Sequence, residues 1–211
     1  MKFSLPRRLR AASKPHVGRR ERHRAEIRRR LFEAALRLFA QKGYFDTTVE
    51  DITEAADVGK GTFFNYFPTK EHILATYGDE RVAAVEQALN RARVTKGAVM
   101  EILKELAADA AGQSQQNPAV IRAIYAAHAS SAPIRLELQN RLHAGRRLLA
   151  EIISIGQKRA ELRRDLSPME LARLSQLIIM GMAMSWSMNP EFSLRKTAES
   201  VWELLCPGLR V

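Results

Sequence analysis

A chain of 211 residues, 46% hydrophobic and 27% charged, is long enough for one or two packed domains and too apolar to be disordered throughout. Its net charge of +11 points to an anionic partner, either nucleic acid or a membrane surface. The longest apolar stretch, 177–188, falls short of the roughly 20 residues that a bilayer span requires, so no membrane partner is expected.

The charge is concentrated at the start. Residues 1–30 hold 12 Lys and Arg against 2 Asp and Glu, whereas the rest of the chain holds 22 against 21. The opening MKFSLPRRLR lacks the apolar run of a secretory signal, although its Arg-rich, acid-poor composition is shared by transit peptides. Charge repulsion, Pro6 and Pro15 make 1–22 read as a disordered basic arm.

From about Arg24 the pattern is helical. Ile27, Leu31, Ala34, Ala35 and Leu38 repeat at the spacing of one helix face, widened by Phe32, Leu36 and Phe39, and Gly43 suits the end of that helix. Thr48 with Asp51 forms a capping-box pattern that opens a short helix, with Thr47 and Glu50 as a one-residue alternative. Its inner face is Val49, Ile52, Ala55 and Ala56, and Asp57-Val58-Gly59 is turn material around one apolar plug. A second short helix is predicted from about Lys60 to Phe67, and Pro68 and Thr69-Lys70-Glu71 open the next. Two short helices joined by a tight turn make a helix-turn-helix, and neither is stable without the first helix packed across both.

Beyond residue 78 longer helices are predicted at 79–92, 97–114, 118–129, 133–163, 168–188 and 194–205, broken at Gly97, Asn117-Pro118, Pro133, Ser167-Pro168 and Asn189-Pro190. No alternating β pattern appears, so the fold class is all-α. A three-helix unit holding the helix-turn-helix (23–78) follows the arm, and a longer helical unit (79–211) follows that. Helix 168–188 is apolar on nearly every side in its second half, which predicts burial all round.

Cys206 is the single cysteine, which forms no internal disulfide and suits a reducing, cytoplasmic setting. The five His residues are scattered. No nucleophile–base pair, metal cluster or glycine-rich phosphate loop stands at recognisable spacing, so neither an enzyme nor a metal or cofactor site is expected.

The segment DITEAADVGKGTFFNYFPTKEHIL, within about 24–77, resembles the DNA-binding domain of the tetracycline-repressor-like (TetR) family. The resemblance implies double-stranded operator DNA as partner, and DNA contacts at Thr48, Lys60, Gly61, Thr62, Phe64, Asn65, Tyr66 and Lys70. It also implies a homodimer through helices 168–188 and 194–205, and a small-molecule effector that releases a repressor from its operator. Asp57 stands where the family often has glycine, and Phe64 where tyrosine is common.

The residue chemistry points the same way. Gly59, Lys60, Gly61 and Thr62 give a recognition helix a slim, polar N-terminus for the major groove, and Asn65 suits a bidentate contact to adenine or a hydrogen bond to phosphate. Thr48 with its helix N–H groups, Tyr66 and Lys70 suit phosphates. Phe63 and Phe67 read as core.

Residues 31–78 hold 4 basic and 7 acidic side chains, so non-specific attraction must come from the arm, through Arg19, Arg20, Arg22, Arg24 and Arg28. Removing 1–22 is expected to weaken DNA binding and flatten its salt dependence in a binding titration; an unchanged affinity and slope would contradict this role. Tyr125, His128, Met180 and Met184 are the candidate effector contacts, as polar tips and adaptable thioethers on apolar helices. The alternative function is a non-specific nucleic-acid-binding interaction protein driven by the basic arm.

Overall fold

The computed structural model describes residues 18–96, 99–116, 118–130 and 132–209. Among them are nine α-helices and no strand: α1 (Arg19–Lys42), α2 (Val49–Ala55), α3 (Lys60–Phe64), α4 (Glu71–Val94), α5 (Val99–Gln116), α6 (Pro118–Ser130), α7 (Ala132–Lys158), α8 (Pro168–Met188) and α9 (Leu194–Leu209). The all-α expectation holds. No helix is long and apolar enough to cross a membrane among the described residues.

The helix boundaries depart from the sequence reading where tertiary contacts outweigh local signals. Most of the basic arm, 1–17, lies outside the described residues, but its last residues are helical because α1 starts at Arg19. The Gly18 N–H donates to the Glu21 carboxylate at 3.2 Å, and Arg29 is bracketed by Glu26 and Glu33 at 2.6 and 2.7 Å, which offsets the repulsion in this Arg-rich turn. The helix predicted at 79–92 starts earlier: α4 runs unbroken from Glu71 through Gly78, so the 78/79 division falls inside a helix. Glycine there costs about 1 kcal/mol of helix propensity, yet a Cβ on Gly78 would meet Arg141 Cδ at 2.7 Å. The small residue lets the Arg141 stem cross α4.

Helix α7 stops at Lys158, short of 163, because Ala160 takes a left-handed conformation (φ +59°) and the Glu161 N–H returns to the Gly156 carbonyl at 2.9 Å. Helix α9 continues to Leu209 with Pro207 in its last turn, and its final carbonyls accept from the Arg163 N–H (2.9 Å, to Leu209) and guanidinium (2.8 Å, to Gly208). At the start of α8, Ser167 and Glu170 form a reciprocal capping box.

Two larger cores follow. The first joins Leu31, Phe39, Ile52, Phe63, Phe67 and Leu74 to Val120, Ala123 and Ala127 of α6 and Leu138 of α7. The helix-turn-helix core is thus continuous with the domain behind it. The second packs Leu89, Val99, Ile102, Ile152, Leu162 and Leu171.

Burial of α8 all round is corrected. Trp186 is buried and donates its indole N–H to the Phe192 carbonyl at 2.8 Å, but Leu174, Leu177 and Met188 are 44%, 56% and 71% exposed in the single chain. With Gly181 and Ser185, also exposed, they form one solvent-facing stripe.

Candidate nucleic-acid interface and effector cavity

Local chemistry builds the helix-turn-helix. Thr48 caps α2: its hydroxyl accepts from the Asp51 N–H at 3.1 Å, and the Asp51 carboxylate accepts from the Thr48 N–H at 2.7 Å. The alternative cap is ruled out, since Thr47 is buried and donates its hydroxyl to the Gly43 carbonyl at 2.7 Å. The Lys42 ammonium, 2.6 Å from Asp51, and then the Thr48 hydroxyl and N–H hold the Asp51 carboxyl well below the usual carboxylate range.

The turn between α2 and α3 needs a left-handed residue, and Asp57 supplies it at φ +51°. Asp is one of the few residues with a side chain that visits this region readily. The Arg30 guanidinium, reaching over from α1, clamps the turn through the Ala56 carbonyl and the Asp57 carbonyl at 3.1 Å. Arg30 was not singled out by the sequence, because a third arginine in a basic run carries no local mark of its target.

Helix α3 is shorter than predicted. It ends at Phe64, and Asn65, Tyr66 and Phe67 continue in a turn whose N–H groups bond Thr62 and Phe63 carbonyls. Phe63 and Phe67 are buried, as expected of core aromatics. Lys60, Gly61, Phe64 and Asn65 are exposed on one end of the domain, Thr62 and Tyr66 are half-buried, and Thr48 is exposed at the start of α2.

The cations differ in how free they are. Lys60 pairs with Glu50, but both side chains are more than half exposed and such pairs contribute little, so the ammonium is readily released. Its proximity holds the Glu50 carboxyl below its ordinary value. Lys70 is tied down instead. Its ammonium donates to the carbonyls of Tyr44 (2.9 Å), Phe45 (3.3 Å) and Thr47 (2.8 Å), and lies 4.6 Å from the Tyr44 ring centroid. An ammonium has three donors, and all are used to fasten the α1–α2 loop. Arg24 is exposed, whereas Arg28 donates to the Thr76 hydroxyl at 3.2 Å and lies over the Phe67 ring.

Residues 31–77 match the family model for bacterial regulatory proteins of the tetR family. Over this segment the chain is similar to the DNA-binding domain of that family. It is similar to the transcriptional repressor KstR of Mycolicibacterium smegmatis, at 30% identity over 111 residues, 51% of this chain and 54% of that protein. It therefore spans about half the length of that relative. The fold of the whole chain is shared more widely. The fatty acid degradation regulator FadR from Bacillus halodurans superposes with a TM-score of 0.74 at 22% identity, over 86% of this chain and 99% of that one. Thermus thermophilus FadR, a TetR-family transcriptional repressor solved with lauroyl-CoA, gives a TM-score of 0.65 at 28% identity, over 87% of this chain and 95% of that one.

Behind the TetR-like domain, α4, α5, α6, α7 and α8 line a partly open apolar cavity of about 290 Å³. Tyr125, His128 and Met180 line it; Met184 does not. The Tyr125 hydroxyl donates to the Met180 carbonyl at 3.0 Å, and burial raises its pKa. Sequence reasoning missed Arg81, Arg141, Arg146 and Gln176, which also line the cavity. A signal was present: Leu74, Tyr77, Gly78, Arg81 and Val85 share one face of α4, which puts a cation on an apolar stripe.

Proposed function

We propose that the chain is a transcriptional repressor that binds operator DNA as a homodimer and is released by a small molecule in the apolar cavity. One observation carries this reading. The exposed end of α3 sits on a core continuous with α6 and α7, and the unbroken α4 runs from the helix-turn-helix into the cavity wall. A ligand that favours one setting of α4 over another therefore biases the spacing of two reading heads.

In this reading residues 23–78 are the DNA-binding unit and 79–211 the effector and dimer unit, with α4 belonging to both. Lys60, Gly61, Thr62, Phe64, Asn65 and Tyr66 face the major groove and its phosphates, Thr48 meets the flanking backbone, and Arg24 and Arg28 extend the basic side of α1. Lys70 reaches a phosphate only by giving up carbonyl bonds. The exposed stripe of α8 and the exposed Leu204 of α9 meet the same surfaces of a second copy, which sets half-site spacing to about one or more helical turns of DNA. The work is that of a cytoplasmic regulator rather than an enzyme. The effector carries a substantial apolar part, as lauroyl-CoA does in the Thermus relative.

A single substitution tests the DNA face. A Cβ on Gly61 meets nothing within 4 Å, so Gly61→Ala leaves the fold intact and is expected to raise stability by about 0.4–1 kcal/mol. The added methyl group obstructs close backbone approach to the groove, with an expected loss of about tenfold in operator affinity, worth about 1.4 kcal/mol. Equal affinity of the variant would remove Gly61 from the interface. Release is tested by fluorescence anisotropy of promoter DNA bound to the full chain, titrated with dodecanoate and with lauroyl-CoA while thermal shift monitors cavity occupancy. Dissociation by an occupying ligand is expected; a complex indifferent to a saturated cavity would contradict effector release.

A further inference from the structure

Helices α4 and α7 lie side by side and run in the same direction, as successive contacts establish. His72 meets Glu137 at 3.2 Å, Asp79 meets Arg141 at 2.8 Å, and Arg93 meets Glu151 at 2.9 Å. Between these, a Cβ on Gly145 would lie 4.0 Å from Val82. Arg81 precedes Val82 on α4, Arg146 follows Gly145 on α7, and both line the cavity.

Their partners are unusual for cations facing an apolar space. Arg81 donates to the neutral side-chain oxygen of Gln113 at 2.7 Å. Arg146 places two N–H groups on the Gln176 oxygen at 2.9 and 2.6 Å, and Gln176 is itself held by the Leu142 carbonyl at 3.0 Å. Among the described residues neither guanidinium has a carboxylate within 4.0 Å. Arg141, on the same wall, is fully matched by Asp79 at 2.8 Å and Glu137 at 3.0 Å. Burial pulls the pKa of Arg81 down, against the longer-range pull of Tyr77 and Asp109. The Arg81–Gln113 bond lies at the exposed edge of the cavity and the Arg146–Gln176 bonds are half-buried, so each guanidinium is met at hydrogen-bond distance by a neutral amide and stays open to a counter-charge.

We propose that Arg81 and Arg146 receive the acid group of the effector, which is an amphiphile with a free carboxylate inside the cavity and its apolar body against Val82, Ile124, Leu142 and Ile179. This deepens the effector reading above and rests on it. A CoA thioester has an uncharged carbonyl where the free acid has its carboxylate, so at that atom it offers the guanidiniums no counter-charge. A free acid supplies the missing charge and matches the planar donor geometry of arginine.

Calorimetric binding to the full chain without DNA tests the assignment, with dodecanoate, dodecanol and lauroyl-CoA as probes below their micellar concentrations. Dodecanoate is expected to bind at least tenfold more tightly than dodecanol. Arg81→Gln and Arg146→Gln are each expected to reduce that preference, and the double variant to abolish it, while dodecanol binding persists and reports an intact cavity. Equal binding of acid and alcohol, a preference that survives the double variant, binding of the thioester alone, or no binding of any probe would overturn it. If the variants fail to fold, the comparison of probes on the unaltered chain decides. Dodecanoate that binds but does not release operator DNA would leave the anion site standing and contradict the effector reading instead.

Discussion

Replacing Phe63 with alanine is expected to remove about 3–5 kcal/mol of stability, the range for deleting a fully buried aromatic side chain. Phe63 is 0% exposed, and its ring centroid lies 5.8 Å from that of Phe67 in the core that α1, α2, α3 and α4 share with α6. The cavity has little means of collapsing, because α3 is only five residues long and is held at both ends by the turn and by Phe67. Against a typical total of about 5–15 kcal/mol, such a loss unfolds much of the DNA-binding domain. Chemical denaturation followed by circular dichroism measures it. Phe64, the neighbour in sequence, is 49% exposed, and Phe64→Ala is expected to change stability by less than about 1 kcal/mol. A loss below about 1 kcal/mol for Phe63→Ala would mean that α3 is not fastened through this ring.

Lys70→Met is the second large effect, and it separates a lock from a ligand. The ammonium makes three hydrogen bonds to loop carbonyls, and charge-assisted bonds of this kind contribute about 1.5–3 kcal/mol each at most, with overlap between them. Methionine keeps much of the stem but none of the donors, so a loss of about 2–3 kcal/mol is expected. If Lys70 acts as a lock, the salt dependence of operator binding keeps its slope. A phosphate ligand would behave oppositely, with stability unchanged and the slope of log K against log salt reduced by about 1. Equilibrium unfolding and a salt series on the same preparation distinguish the two.

What could be read from the sequence was local, and what could not was set by distant contacts. Thr48 and Asp51 announce their cap because both partners lie within one turn, and Asp57 is legible because few residues with side chains tolerate its backbone. Lys70 is different: its residue type suits a phosphate, and only the folded α1–α2 loop shows where its donors point. Arg30 is hidden in the same way. Gly78 has no evident purpose inside a helix until Arg141 is seen lying across it. The stripe of α8 illustrates a related limit of pattern reading, since an all-round apolar helix looks the same whether its second face is covered by its own chain or by another. Arg81 and Arg146 left a trace, as cations on apolar faces, but their neutral partners Gln113 and Gln176 are more than 29 residues away.

The most direct test of the central claim is a fluorescence anisotropy titration of the full chain against DNA from its own promoter region, with scrambled DNA as competitor. Specific recognition by a TetR-type dimer predicts two chains per duplex and a complex that survives excess scrambled DNA. Equal affinity for both sequences, falling together as salt rises, would contradict operator recognition and leave the basic residues of the N-terminal region as the source of binding.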